Sequence, residues 1–338
     1  MAWVSGQKLH NNKYEIKQEL GRGRVAITYL AVDSNNTKVV IKTLNPDILN
    51  QLSDRDRNYL ESGFADESRK LALCKHPNIV RVIENFKYQQ LDCMVMEHID
   101  GDNLGNILAS RRQIPEKEAL GYIQQIGQAL IEVHKQGFLH RDIKPENIVL
   151  RKGTYQVVLI DFDLARGFDS PLTSRGNRVD GFTAIELYFN TARSQQQRGA
   201  WTDVYSLAAT LYMLLTGEKP VSSCDRKDNN IGLKPPKEHN SHISDRVNRA
   251  IIHGMELEGE KRPQAVQEWL DELGLKRKFS FSRIPKIPVW AGIIGILSTL
   301  AIFAALISGV KDGRDLWKDL FPDASPTQTN PATKDTPK

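Results

Sequence analysis

The chain has 338 residues, 26% of them charged and 40% apolar, and a net charge of +5. That balance excludes an intrinsically disordered chain, and the length supplies one large domain or two ordinary ones. No dense basic stripe interrupts the first 270 residues, which argues against nucleic acid as a partner, and the scattered Cys74, Cys93 and Cys224 make neither a disulfide framework nor a zinc site.

The opening stretch MAWVSGQKLHNNK, residues 1–13, lacks the long apolar run of a secretion signal and reads as a lead to the first domain. Residues 14–33, YEIKQELGRGRVAITYLAVD, place two β-favouring runs around Gly-Arg-Gly, the pattern of a hairpin. Gly21 and Gly23 let backbone amides approach an anion because no side chain intervenes, although such a turn is common and carries little weight alone. TKVVIKTL, residues 37–44, is a further strand with Lys42 inside an apolar run. SGFADESRKLALCKH spaces Phe64, Glu67, Ser68 and Leu71 along one helical face, which turns Glu67 inward and makes Lys42 its natural partner. Two more strands are expected in HPNIVRVIENF and LDCMVMEHIDG, the second closing on a polar turn at Asp100 and Gly101.

YIQQIGQALIEVHKQG, residues 122–137, is an amphipathic helix with Gly137 as its C-cap. FLHRDIKPENIVL then sets His140, Arg141, Asp142, Lys144 and Asn147 in a loop ahead of a β-like run, and Asp161 follows a second apolar strand, VVLI. Further on the chain changes character. LKRKFSFSRIPK, residues 275–286, holds five basic residues and no acid, and the run from Ile287 to Val310 carries no charge. A helix needs about 20 residues to cross ~30 Å of hydrocarbon, so this run predicts a single membrane span. Pro288 fits its first turn and Trp290 the interface. With the basic flank on the N-terminal side, residues 1–286 are expected in the cytoplasm and the tail after the span, residues 311–338, outside. That tail is rich in Pro, Thr, Asn and Ala and reads as disordered.

HRDIKPEN followed by Asp161, Phe162 and Asp163 resembles the catalytic loop and metal motif of serine/threonine protein kinases. Other motifs of that family fall in order: GRGRVA for the glycine-rich loop, VVIK for the lysine strand, Glu67 for the helix partner, and AIE at 184–186 for the end of the activation segment. WTDVYSLAATLYMLLTG is similar to the family's central buried helix, with Asp203 as its anchoring acid, and Arg262 matches the partner of Glu186. On these motifs the chain is identified as a member of the protein kinase family, and its layout resembles bacterial membrane-anchored serine/threonine kinases. The resemblance implies an α+β, two-lobed kinase fold, with a small β-rich N-lobe and a larger helical C-lobe, followed by a single transmembrane helix. The implied boundaries are a lead at 1–13, the kinase domain at 14–273, a basic juxtamembrane linker at 274–286, the span at 287–310 and a short extracytoplasmic tail at 311–338.

The resemblance also implies roles. Lys42 holds the α- and β-phosphates of ATP and Glu67 orients it. Asn147 and Asp161 bind magnesium, or manganese. Asp142 receives or orients the substrate hydroxyl, and Lys144 faces the moving phosphoryl group and favours Ser/Thr acceptors in protein substrates. Leu20, Gly21, Gly23, Thr28, Val40 and Val149 surround the nucleotide, Met96 is the gatekeeper, and the hinge from Glu97 to Ile99 meets the adenine. Arg141 is placed to receive a phosphorylated loop residue, with Ser170, Thr173 and Ser174 as candidates, and autophosphorylation admits a homodimer. Four positions depart from the pattern: Ala26, Asp163, Val179 and Ile185. They leave a membrane-anchored pseudokinase, a nucleotide-binding or scaffolding module, as the alternative to an active enzyme.

Overall fold

The apolar runs of residues 8–97 become one sheet. Its six strands are β1 (Lys8–Leu9), β2 (Tyr14–Arg22), β3 (Ala26–Asp33), β4 (Lys38–Leu44), β5 (Val82–Tyr88) and β6 (Leu91–Glu97). Their spatial order is β1-β2-β3-β4-β6-β5, antiparallel throughout. The computed structural model describes residues 3–23, 25–162, 180–188 and 198–275, except for the side chain of Glu67. All but a short helix, α1 (Pro46–Leu49), and a long one, α2 (Asp54–Leu73), of the first hundred residues thus goes into strands and their turns.

β4 and β6 read as nearly continuous apolar runs because both faces of the sheet are covered. On one face Leu44, Met94 and Met96 join the main core with Phe64 and Leu71 of α2. On the other, Val39, Ile41, Cys93 and Val95 form a second cluster with Ile16, Ile27, Tyr29 and Phe86. The stretch before residue 14 roofs that second cluster. Trp3 is buried against the rings of Tyr29 and Tyr88, with centroids 4.9 and 5.9 Å away, and His10 stacks on Phe86 at 4.5 Å. β1 pairs with β2, and Lys13 Nζ donates to Glu84 at 2.7 Å. Residues 3–13 are therefore part of the folded lobe, with Lys8–Leu9 as a strand of its sheet, rather than a lead to it. Their sequence hides this, since Trp3 and Leu9 are the buried apolar residues among polar ones.

α2 also starts earlier than its apolar face. Ser53 caps it, its Oγ accepting from the Asp56 amide at 3.2 Å, and Asp54 and Asp56 complement the helix dipole in the first turn. The face itself is as expected, with Phe64, Ser68 and Leu71 buried.

The larger lobe begins with a small sheet, β7 (Gly101–Asn103), β8 (Ile148–Arg151) and β9 (Val157–Leu159), in that spatial order. The rest of its described part is helical: α3 (Leu104–Arg111), α4 (Glu116–Lys135), α5 (Ala200–Thr216), α6 (Ser223–Asp228), α7 (Pro236–His239), α8 (Asp245–Gly254) and α9 (Val266–Glu272). α5 is apolar nearly all round and is buried so, with Val204, Leu207, Leu211 and Leu214 fully inaccessible. α4 caps at Gln136, and Gly137 follows it in a left-handed conformation at φ +79°.

Among the described residues no helix is long and apolar enough to cross a membrane. The basic residues 276–286, the charge-free run 287–310 and the tail 311–338 lie outside the described residues.

Candidate active site

The register of the first sheet assembles one wall of the site. Gly21 pairs with Thr28, Thr28 with Lys42, and Lys42 with Met94, so the glycine turn and the buried lysine lie along one line across the strands. The turn itself is tight: the Gly23 amide donates to the Ala26 carbonyl at 2.8 Å. Ala26 opens β3 opposite Leu44 and is not among the residues with positive φ, so its methyl group adds no backbone strain. Leu20 is half exposed on β2, while Met96 and Val149 are buried in the main core and Val40, paired with Met96 across the strands, packs against it. Met96, Glu97 and Ile99 lead from β6 into β7, with Ile99 buried.

Lys42 Nζ pairs with Asp161 Oδ1 and also donates to the Phe162 carbonyl at 3.2 Å. The lysine side chain is 9% exposed and the carboxylate 45%, so the pair sits at the mouth of the interior with the acid facing outward. Glu67, the expected partner of Lys42, lies in α2, but its side chain falls outside the described residues. Phe162 points the other way, into the core, its ring 4.3 Å from that of His140 and 6.3 Å from Phe138.

The loop between α4 and β8 collects the polar groups. Lys144 Nζ and Asn147 Nδ2 both donate to Asp142 Oδ2 at 2.9 Å, and Asn147 Nδ2 donates to the Asp142 carbonyl at 2.8 Å. The Asp142 amide in turn donates to His140 Nδ1 at 3.2 Å. One buried acid holds the loop from below. Asp203 of α5 accepts the amides of His140 and Arg141 at 2.9 and 2.8 Å and contacts His134 Nε2 at 2.7 Å. Burial alone would raise the Asp203 carboxyl, but the bond to His134, the nearby imidazoles and the Arg141 amide together hold it below the usual carboxylate range. Arg141 takes a left-handed backbone, φ +68°, a conformation that costs a non-glycine residue about 1–2 kcal/mol and is fixed here by those amide bonds.

A second anchor holds the segment that ends at Glu186. Arg262 donates to both Glu186 oxygens at 2.8 and 3.1 Å, Thr202 Oγ1 donates to Glu186 at 2.8 Å, and the arginine caps the carbonyls of Glu256 and Leu257 at 2.7 Å each. Ile185, standing where a proline was expected, opens a short turn over Ile185–Leu187 without disturbing this clasp. Asp180 organises the residues that follow it, its Oδ1 accepting from the amides of Phe182 and Thr183 at 3.2 and 3.0 Å and from Thr183 Oγ1 at 2.8 Å. Sequence reasoning missed His134 and Asp180. His134 has no sequence cue, being one polar residue on an amphipathic helix, whereas Asp180 before Gly181 is a recognisable side-chain turn. Asp163, Val179, Ser170, Thr173 and Ser174 lie outside the described residues.

Among the described residues no cluster of three or more His, Cys, Asp or Glu could enclose a metal ion. The oxygens of Asp161 and Asn147 are hard donors of the kind magnesium takes when phosphates complete its shell, so the residues fit a shared cation rather than a caged one.

Residues 14–271 match the protein kinase domain family. Curated relatives include a probable serine/threonine-protein kinase of Clostridium perfringens, 29% identical, with 79% of this chain and 38% of the relative covered. The serine/threonine-protein kinase PknB of Mycobacterium tuberculosis is 28% identical, with 86% of this chain and 47% of the relative covered. The chain thus spans less than half the length of either relative. The solved apo form of PpkA-294 superposes with a TM-score of 0.66 at 25% identity, covering 80% of this chain and 99% of that one.

Proposed function

The chain belongs to the protein kinase family, and from that premise we propose that it is an active serine/threonine protein kinase, moving the γ-phosphoryl group of ATP to Ser/Thr hydroxyls of proteins. The family as a whole uses ATP and a divalent metal. The observation that carries the proposal is the convergence on Asp142: Lys144 and Asn147 both donate to one carboxylate oxygen, beside the Lys42–Asp161 pair.

Phosphoryl transfer asks the protein mainly for positioning and for charge neutralisation. Lys42, on a strand buried on both faces, supplies a fixed cation for the α- and β-phosphates. Gly21 and Gly23 present amides to the same phosphates, with Thr28 beside them. Leu20, Val40 and Val149 hold the adenine, Met96 bounds it, and the backbone of Glu97 to Ile99 reads its edge. Asp142 orients the substrate hydroxyl and takes its proton, while Lys144, sharing that carboxylate, follows the transferred group. Asn147 and Asp161 would hold Mg2+, whose charge offsets that of the phosphates. With nucleotide bound, the Lys42 ammonium would pair with phosphate in place of Asp161, which would leave that carboxylate to hold the cation with Asn147.

A pseudokinase reading gains no support from the described residues, since Lys42, Asp142, Asn147 and Asp161 are all present and gathered. We also propose that residues 287–310 tether the enzyme to a membrane with the kinase domain cytoplasmic, on the strength of the uncharged run and its basic flank. Autophosphorylation between two copies is the simplest use of such a tether. The test is transfer of radiolabel from γ-labelled ATP, with magnesium or manganese, to a generic protein substrate. Labelled phosphoserine and phosphothreonine are expected; nucleotide binding with no transfer under either metal would return the chain to the pseudokinase class.

A further inference from the structure

The two lobes meet through a short segment whose ends are fastened differently. At its small-lobe end Glu97 pairs with Val39, and its amide donates to the Arg81 carbonyl at 3.0 Å. At its large-lobe end Gly101 lies so close to β8 that a Cβ would stand 2.0 Å from the Leu150 carbonyl oxygen, and the Lys152 amide donates to the Asp100 carbonyl at 2.8 Å. Arg151, the last residue of β8, lies between Leu150 and Lys152, pairs with Gly101 and is therefore fixed to the large lobe. Rotation of one lobe against the other falls on His98, Ile99 and Asp100.

The Glu97 side chain crosses this pivot. Its Oε1 accepts the Arg81 amide at 3.1 Å, which ties it to the strand that opens β5 in the small lobe. Its Oε2 faces Arg151 Nη2 of the large lobe at 3.7 Å. We propose that Glu97 is a positioning residue: its carboxylate, gripped by the small lobe and paired with Arg151 of the large one, is a strut that favours the lobe separation at which nucleotide is retained. The inference rests on the kinase reading and deepens it. A contact made in one lobe arrangement and lost in another biases the pair toward the first by its own differential free energy. Because both side chains are partly exposed, 34% for Arg151 and 24% for Glu97, the bias is modest, and because the gap is that of an ion pair rather than a hydrogen bond, any cation at 151 suffices.

Stopped-flow release of a fluorescent ADP (mant-ADP) from the full chain tests this. Arg151→Met is expected to release mant-ADP about threefold faster than the parent. Arg151→Lys is expected at the parent rate, and the double variant Glu97→Gln/Arg151→Met no faster than Glu97→Gln alone. The thermal midpoint of the nucleotide-free Arg151→Met protein is expected to equal the parent's, which separates a strut from a fold-wide effect. Release from Arg151→Met at the parent rate, or effects of the two substitutions that multiply, overturns the strut while leaving the kinase reading intact. A parent protein that binds no mant-ADP overturns both.

Discussion

Asp142 receives two donors on one oxygen, so a carboxamide in its place keeps an acceptor for one of them while losing the charge. Asp142→Asn is accordingly expected to bind ATP like the parent and to transfer phosphate about 10²–10⁴-fold more slowly, as measured by initial-rate labelling at saturating ATP. Parent-like transfer by that variant removes Asp142 from the chemistry. Asp203 makes a pH-dependent contribution. Its folded carboxyl lies below the value of an unfolded aspartate, about 3.9, so the stability it lends is complete above that pH and is lost as pH falls through the folded value. Acid titration followed by circular dichroism should show a loss of stability below about pH 4 that is shallower in Asp203→Asn. An equal slope in the two proteins contradicts the assignment. Arg262 and Glu186 show the same logic without titration: both are buried, and each is satisfied only with the other in place.

At the level of elements, most of what positions the site was legible in the sequence. Strands β2 to β6 of the first sheet, α4, the helix around Asp203 and the pairing of Glu186 with Arg262 follow from apolar periodicity or from the family's motifs, and the structure has each of them. What escaped was polar or short. The first two turns of α2, from Asp54, carry little apolar pattern and are specified instead by the Ser53 cap. β1 is two residues long, and its role depends on contacts with Tyr29, Tyr88, Phe86 and Glu84 that no local pattern announces. The strength of that cover can be measured. Trp3→Ala removes a buried indole from between two tyrosine rings and is expected to lower unfolding free energy by about 3 kcal/mol in urea titrations. A change under about 0.5 kcal/mol, the scale of an ordinary surface substitution, shows the cover to be loose.

For the whole molecule, every proposed site residue lies at or before Asp161, and among the described residues the core runs to Leu273, with Leu275 packed against it. The proposed membrane tether and the proposed catalytic unit should therefore separate. The 338-residue chain is expected to sediment with membranes and to resist carbonate extraction, while a chain ended at Leu275 stays in the supernatant and still binds ATP. Protease added from outside the cell should spare the kinase domain. Digestion of that domain from outside reverses the topology, and recovery of the 338-residue chain in the carbonate supernatant removes the span.

The cover over the back of the sheet also has a consequence for the order in which the chain acquires its structure during synthesis. Lys13 and its partner Glu84 are 71 residues apart in sequence, and at about 5–20 residues per second the ribosome needs roughly 4–14 s to deliver the second after the first. The β1–β2 hairpin has its own strands within that interval, but Trp3 and His10 have no Tyr88 or Phe86 to rest on. Until the fifth strand delivers Phe86 and Tyr88, the indole thus has Tyr29 alone to rest on and the imidazole Tyr14.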